Sequence, residues 1–479
     1  MTKLEEIEAK KMRLSLYLVK KTKGGFMSET KVTENRMGTM PVGKLLFSMS
    51  LPIIISFLVQ SVYNLVDSIF VARLSEKALT AVSLCFPVQN IMISVAVGIG
   101  VGSAALISRY LGMNDKKRVG QMATHGLILA VLAAGIFVLF AIFFTSFYAS
   151  SQSKDPEIIR YTEEYLSTVL IFCGGVFFQI FFEKTLQSTG NTVYTMITQG
   201  TGAIINIILD PIMIFGLLGF PALGVRGAAL ATIIGQMGGA LVGVYFHTHK
   251  NKEVNFEFHK FRFHGDILSQ IFTIGLPSII MSGIGAFVLF FMNAMLYGFG
   301  SSAVAAYGIM FKLQSFAFMP MFGISNALLA IVSFNFGARN KERIKKAIRL
   351  SMTASFAIVG LSIILMWVFT NQIFDLFAAT DVMREIGVPM VRIVSLSLII
   401  SIPSVVGVGG VFQALGNWKF PIFQSFLRQV IILLPIFYLF TKTGRLNIAW
   451  WAFVISEFIN STFCVYFLKR DIRNKIDVL

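Results

Sequence analysis

Charge is scarce in this chain: Asp, Glu, Lys and Arg make up 14% of its 479 residues, where a soluble domain carries about 25%. Hydrophobic residues, 55% of the total, run through the whole length after residue 44. That excludes a chain hiding its apolar surface in one soluble core and points to a polytopic membrane protein. Cysteine is nearly absent. Cys85, Cys173 and Cys464 each sit inside an apolar run with no CxxC spacing, so buried thiols are expected rather than a disulfide framework or a metal site. Histidine is as rare. His247, His249, His259 and His264 crowd one polar loop and His125 stands apart, and neither helical spacing nor a cysteine supports zinc ligation. No nucleophile–base spacing occurs either, so the chain reads as neither an enzyme nor a cofactor protein. Residues 1–44 lack the apolar stretch of a secretory signal. They read as an unstructured cytoplasmic tail, with Met27 and Met37 as alternative starts.

What is present is apolar length and basic charge. The net charge of +17 would suggest a nucleic-acid partner in a soluble protein. Here the basic residues fall in short loops between apolar runs, so no nucleic acid is expected. Apolar windows near 45–72, 79–108, 121–148, 161–186, 193–218 and 226–247 precede a polar break at 248–266. Six more follow near 267–297, 303–334, 347–371, 386–414, 419–440 and 447–468. With the N-terminus inside, 30 of the 41 Lys and Arg residues lie in inside segments, the asymmetry of a protein with both termini cytoplasmic. The expected parts are a tail (1–44), an N-lobe (45–247), an inter-lobe loop (248–266), a C-lobe (267–469) and a C-terminal tail (470–479).

The halves repeat one another. LPIII at 51–55 stands against LPSII at 276–280, an offset of 225 that also pairs Gln89 with Gln314, Gly98 with Gly323, Gly112 with Gly337 and Arg118 with Arg343. QSTGN at 187–191 meets QALGN at 413–417 at offset 226. An even number of spans per half makes the repeats parallel, related by an axis along the membrane normal. The fold class is therefore an all-α polytopic membrane protein of twelve transmembrane helices in two six-helix bundles. Such bundles enclose a cleft and can rock, which favours a transporter. The glycines of GIGVG at 98–102 read as a close helix contact, and some of the 47 Phe and 22 Met as an adaptable cleft wall.

Acids inside spans are few and therefore informative. A carboxylate at a helix centre costs roughly 3 kcal/mol on insertion. In the first span Asp67 shares a face with Gln60 and Asn64; in the fifth, Gln199, Asn206 and Asp210 share one, with Pro211 set to bend the helix. Burial and a second carboxylate both disfavour the charged form, so the pair reads as a site sharing a proton or a sodium ion. The C-terminal half has no counterpart: Met292 stands opposite Asp67. Glu183, at the inner end of the fourth span, reads as interfacial; Glu457 lies in the last span, not far from the cytoplasmic Lys469 cluster, with its role open. Lys312, mid-span in the eighth, reads as a structural ion pair or a gating group, near Gln314.

Three segments carry a family resemblance: MPVGKLLFSMSLPIIISFLVQSVYNLVDSIFVARL at 40–74, NIILDPIMIFGLLGFPALGVRGAALAT at 206–232 and FAFMPMFGISNALLAIVSFNFGARNKERI at 316–344. They resemble the multidrug and toxic compound extrusion (MATE) transporters, over roughly residues 38–470, with a pattern closer to the DinF-like branch. The resemblance implies a two-lobed antiporter that exports lipophilic organic cations against H+ or Na+, as a monomer in the lipid of a prokaryotic plasma membrane. It implies a coupling-cation site at Asp67, Asn206, Asp210 and Thr232, and puts in doubt a C-lobe ion site, since Asn293 replaces an acid. Two alternatives stay open: a lipid-linked oligosaccharide flippase, with Lys312 and Arg392 as its cations, and a channel.

Overall fold

Inside hydrocarbon every backbone N–H and C=O must be bonded within the protein, which leaves a multi-span chain the helix. The computed structural model describes residues 35–258, 262–377 and 379–479 and contains no strand among them. Most of the tail expected over 1–44, and His259 in the inter-lobe loop, lie outside the described residues. Six helices build the first half: α1 (Val42–Leu74), α2 (Glu76–Gly112), α3 (Lys116–Gln152), α4 (Pro156–Ile171 with Gly174–Ser188), α5 (Thr192–Phe215) and α6 (Gly224–Lys250). Six build the second: α7 (Gly265–Tyr297), α8 (Ser301–Gly337), α9 (Lys341–Val368), α10 (Asp381–Ile400 with Ile402–Phe412), α11 (Lys419–Thr441) and α12 (Leu446–Ile476). Ten are single helices long and apolar enough to cross a membrane, and the two bent pairs bring the number to twelve. At 37 residues each, α2 and α3 run to about 55 Å, well beyond a ~30 Å hydrocarbon core. Ile136, Phe143 and Phe147 of α3 are at least two-thirds exposed, a face suited to lipid.

The helices start where short polar side chains satisfy free amides. Ser75 accepts from the Ala78 amide at 3.0 Å, Asp115 from Arg118 at 3.1 Å and Asn340 from Arg343 at 3.2 Å, each worth about 1 kcal/mol. Asp115 and Asn340 are repeat partners, and the residues before them, Asn114 and Arg339, share a left-handed φ of 56°. Lys77 at the start of α2 bridges Asp155 and Glu157 at the start of α4, at 2.9 Å each. That hydrogen bond holds the Asp155 carboxyl below its ordinary range.

Two features go beyond the expectation, while α5 continues as one helix through Pro211 to Phe215. The fourth and tenth spans are broken, by 48° and 45°. Three spans carry π-helical stretches among the described residues, Gly407–Phe412 in α10, Leu427–Leu433 in α11 and Ile472–Ile476 at the end of α12. Neighbouring hydroxyls reach the backbone at or next to the first two: Ser325 donates to the Val405 carbonyl at 3.3 Å and Ser456 to the Arg428 carbonyl at 2.7 Å.

The lobes meet through exchanged partners: α7 lies along α2, and α1 lies along α8 while also packing on α5. Glycine makes the seam close. A methyl built on Gly102 would fall 2.0 Å from the Ile271 carbonyl oxygen, one on Gly112 1.9 Å from that of Phe334, and one on Gly337 1.9 Å from that of Arg109. The last two are repeat-related, so backbone rests on backbone from both sides. Polar groups cross the seam toward the same end. Arg109 donates to the Ala414 carbonyl at 2.5 Å, Lys184 to Asn326 Oδ1 at 2.6 Å, and Arg343 to the carbonyls of Met37 and Met40 at 2.9 and 2.7 Å.

This seam makes a direct prediction. Gly102→Ala and Gly337→Ala overpack it and are expected to cost about 1–3 kcal/mol, read as a clear fall in thermal midpoint. Gly135→Ala and Gly360→Ala, where nothing lies within 4 Å, are expected to be neutral or stabilising. Equal behaviour of the two sets would refute the contact.

Candidate functional site

The site lies inside the first lobe, where α1, α5 and α6 converge. The α5–α6 approach is set by glycine: a methyl on Gly202 would lie 3.0 Å from the Gly235 carbonyl oxygen. One helical turn separates Asn206 and Asp210, so Asn206 Nδ2 donates to Asp210 Oδ1 at 3.2 Å, and also to the Thr232 hydroxyl of α6 at 3.4 Å. From α1, the Asp67 carboxyl comes within hydrogen-bonding reach of Asp210. Asp210, Asn206 and Thr232 are buried, and Asp67 is half-buried.

Three oxygens in this cluster, Asp67 Oδ1, Asn206 Oδ1 and Asp210 Oδ2, are buried with no hydrogen-bond partner. Among the described residues no Lys or Arg forms an ion pair with either aspartate. Two carboxyls in mutual reach form a hydrogen bond only if one carries a proton; otherwise a cation must lie between them. An all-oxygen donor set suits a proton or a hard cation and not a soft metal.

A second polar layer lies two turns along α5. Gln179 of α4 donates to Gln199 Oε1 at 2.9 Å and to Glu183 Oε1 at 3.0 Å. Glu183, expected at the inner end of the span, thus turns its carboxyl to a partner inside the lobe. The bend in α4 turns Gly174–Ser188 into the lobe, and Glu183 is half-buried there and bonded to Gln179. The i, i+4 spacing of Gln179 and Glu183 was the available signal.

Other expected residues are not drawn into the cluster. Gln60 is half-buried and Asn64 exposed on α1, and neither side chain bonds to the carboxylates. Gln314 is half-buried on α8, also without such a bond. Lys312 is exposed, its Nζ 5.1 Å from the centroid of the Phe377 ring, a cation–π contact in place of the expected ion pair.

The second lobe holds a different network that sequence reasoning missed. Arg428 of α11 pairs with Glu457 of α12 at 2.5 Å; Asn460 donates to Glu457 at 3.2 Å and accepts from Gln424 at 2.5 Å. Glu457 is thus buried between helices. Opposite charges on consecutive spans were its only sequence signal.

Comparison with known proteins agrees with this architecture. The MatE family model matches residues 52–212 and 277–439, one segment in each lobe. The multidrug export protein MepA of Staphylococcus aureus (strain MRSA252) is 26% identical over 438 residues, covering 90% of this chain and 95% of that protein. MepA of Staphylococcus haemolyticus (strain JCSC1435) is 25% identical over 440 residues, covering 91% and 95%. Among solved structures, an outward-facing conformation of a multidrug resistance MATE family transporter of the MOP superfamily superposes with a TM-score of 0.86 at 25% identity, covering 93% of this chain and 99% of that one. A MOP superfamily transporter from Pyrococcus furiosus superposes with a TM-score of 0.85 at 24% identity over the same shares, a likeness of fold. With both of its halves matched, the chain belongs to the MatE family.

Proposed function

We propose that this chain is a secondary active multidrug efflux transporter of a prokaryotic plasma membrane. It exports lipophilic organic cations in exchange for H+ or Na+ held by Asp67, Asn206, Asp210 and Thr232. One observation carries the reading: two carboxyls in mutual reach, in a cluster with three buried oxygens without donors, one of the two on α1, which also forms the seam between lobes. The family relatives named as multidrug exporters support the drug side. The placement of the acids in α1 and α5, with none in α10's membrane segment, supports the DinF-like branch.

The exchange follows from charge. When the site is empty of proton or cation, two anions face each other in a low-dielectric lobe and repel. A proton or sodium ion removes the repulsion and lets α1 close on α5. Because α1 also lies along α8, its position reaches the inter-lobe seam. Cation occupancy and the lobe arrangement are then linked, and a drug that prefers one arrangement shifts the affinity for the cation by the same factor. The seam contacts lie toward the end bearing the basic loops, which corresponds to a cleft open to the exterior if those loops are cytoplasmic. The flippase alternative rested on Lys312 and Arg392. With Lys312 set over Phe377, it lacks the paired cations a pyrophosphate would need.

Efflux of a lipophilic cation dye from everted vesicles tests the coupling. Asp67→Asn and Asp210→Asn are each expected to lower gradient-driven efflux at least tenfold at normal expression. The double variant should be little worse, because the pair acts as a unit. Full efflux by Asp67→Asn would sink the coupling role. Orientation has its own check: in a cysteine-free background, Lys117→Cys should react with an impermeant thiol reagent only in everted vesicles, and Lys154→Cys only in intact cells. The reverse pattern would invert the topology.

A further inference from the structure

Where α1 and α9 begin, two cavities join on the outer side of the seam. The first, about 610 Å3, is lined by Glu342, Arg343, Lys345, Lys346 and Arg349 of α9 with Pro41 and Val42. The second, about 340 Å3, runs along the seam between Phe47, Leu51 and Ile54 of α1 and Leu350, Ala354 and Ile358 of α9. Leu350 lines both, and the neighbours Val42 and Gly43 line one each. The wall of the second is apolar, because its one hydroxyl, on Ser50, is turned back to donate to the Leu46 carbonyl at 2.7 Å. On α9, Lys346, Leu350, Ala354 and Ile358 recur every four residues, so a single helix face passes from cation to hydrocarbon.

The charges at the wide end are not all committed. Arg343 is held by Asn335 and by the Met37 and Met40 carbonyls, and Lys345 by Asp477 at 2.6 Å. Lys346 and Arg349 are exposed and form no ion pair among the described residues. Glu342 faces the same cavity, so the free charges are two cations and one anion. A cationic recess at the membrane surface, continuous with an apolar groove, fits a ligand with an anionic head and a hydrocarbon tail.

We propose that this is a site for one anionic phospholipid, its phosphate between Lys346 and Arg349 and an acyl chain along the α1–α9 groove. Basic pockets between spanning helices recognise such headgroups, with each Lys or Arg near the surface contributing about 1 kcal/mol. The groove takes one wall from each lobe, so it exists only while α1 lies against α9. A lipid bound there favours this lobe arrangement over any in which the two helices part. The inference concerns binding alone and stands or falls independently of the transport reading.

The test is native mass spectrometry of the full chain, delipidated in detergent and re-equilibrated with equal amounts of phosphatidylglycerol and phosphatidylcholine. Phosphatidylglycerol should be retained in clear excess. Lys346→Gln and Arg349→Gln should each lower its retention roughly fivefold without changing phosphatidylcholine, and Glu342→Gln should raise it. Ala354→Phe, and independently Leu51→Trp from the facing helix, should plug the groove and release the lipid. Equal retention of both lipids, insensitivity to the charge variants, or displacement by glycerol phosphate, which has the head without the tail, would overturn the proposal.

Discussion

Two carboxyls within reach of one another in an apolar lobe cannot both be charged without a companion, and most of the arrangement around them follows from that constraint. Asp210 is fully buried and bonded to Asn206 on its own helix; Asp67 comes from α1, a helix only partly owned by its lobe. A companion that neutralises the pair therefore acts on a helix with one side on α5 and the other on α8. In the proposed exchange this shared helix turns a local charge event into a change between lobes, with no chain of contacts needed across the molecule.

The repeat was the most legible part of the fold. Offset 225 pairs Asn114 with Arg339, and both adopt the same left-handed turn; it pairs Asp115 with Asn340, and both cap the next helix. It pairs Gly112 with Gly337, each lying on a backbone carbonyl across the seam. These positions are readable because they are fixed by local backbone geometry and by contacts too close for a side chain. The core of the candidate site was legible for a related reason: so few acids lie within spans that each draws attention.

What was hidden depends on bends and on helix rotation. The break in α4 carries Glu183 into the lobe, and no residue spacing announces a bend of 48°. Helical periodicity put Gln60, Asn64 and Asp67 on one face, but a face does not give depth, and Asn64 is exposed where Asp67 is half-buried. Arg428 and Glu457 were visible as charges in spans, while their pairing depends on how α11 and α12 are turned toward each other. Lys312 found its partner in Phe377, outside the spans, because a long side chain reaches across about a turn and an aromatic face serves as well as a carboxylate.

The π-helical stretches bear on how the two halves came to differ. The family match covers 52–212 in the first half and 277–439 in the second, so the second matched segment is two residues longer than the first. A π turn holds one more residue than an α turn, and the matched segment of the second half has one such stretch in α10 and another in α11. Both stretches lie inside spans, where a displaced carbonyl has no water to turn to. Ser456, reaching over from α12, donates to the Arg428 carbonyl within the second stretch, and Ser325 to the Val405 carbonyl just before the first. A helix that widens by a residue inside a membrane needs a donor for the carbonyl it displaces, and here a serine on an adjacent helix stands beside each of the two widened turns.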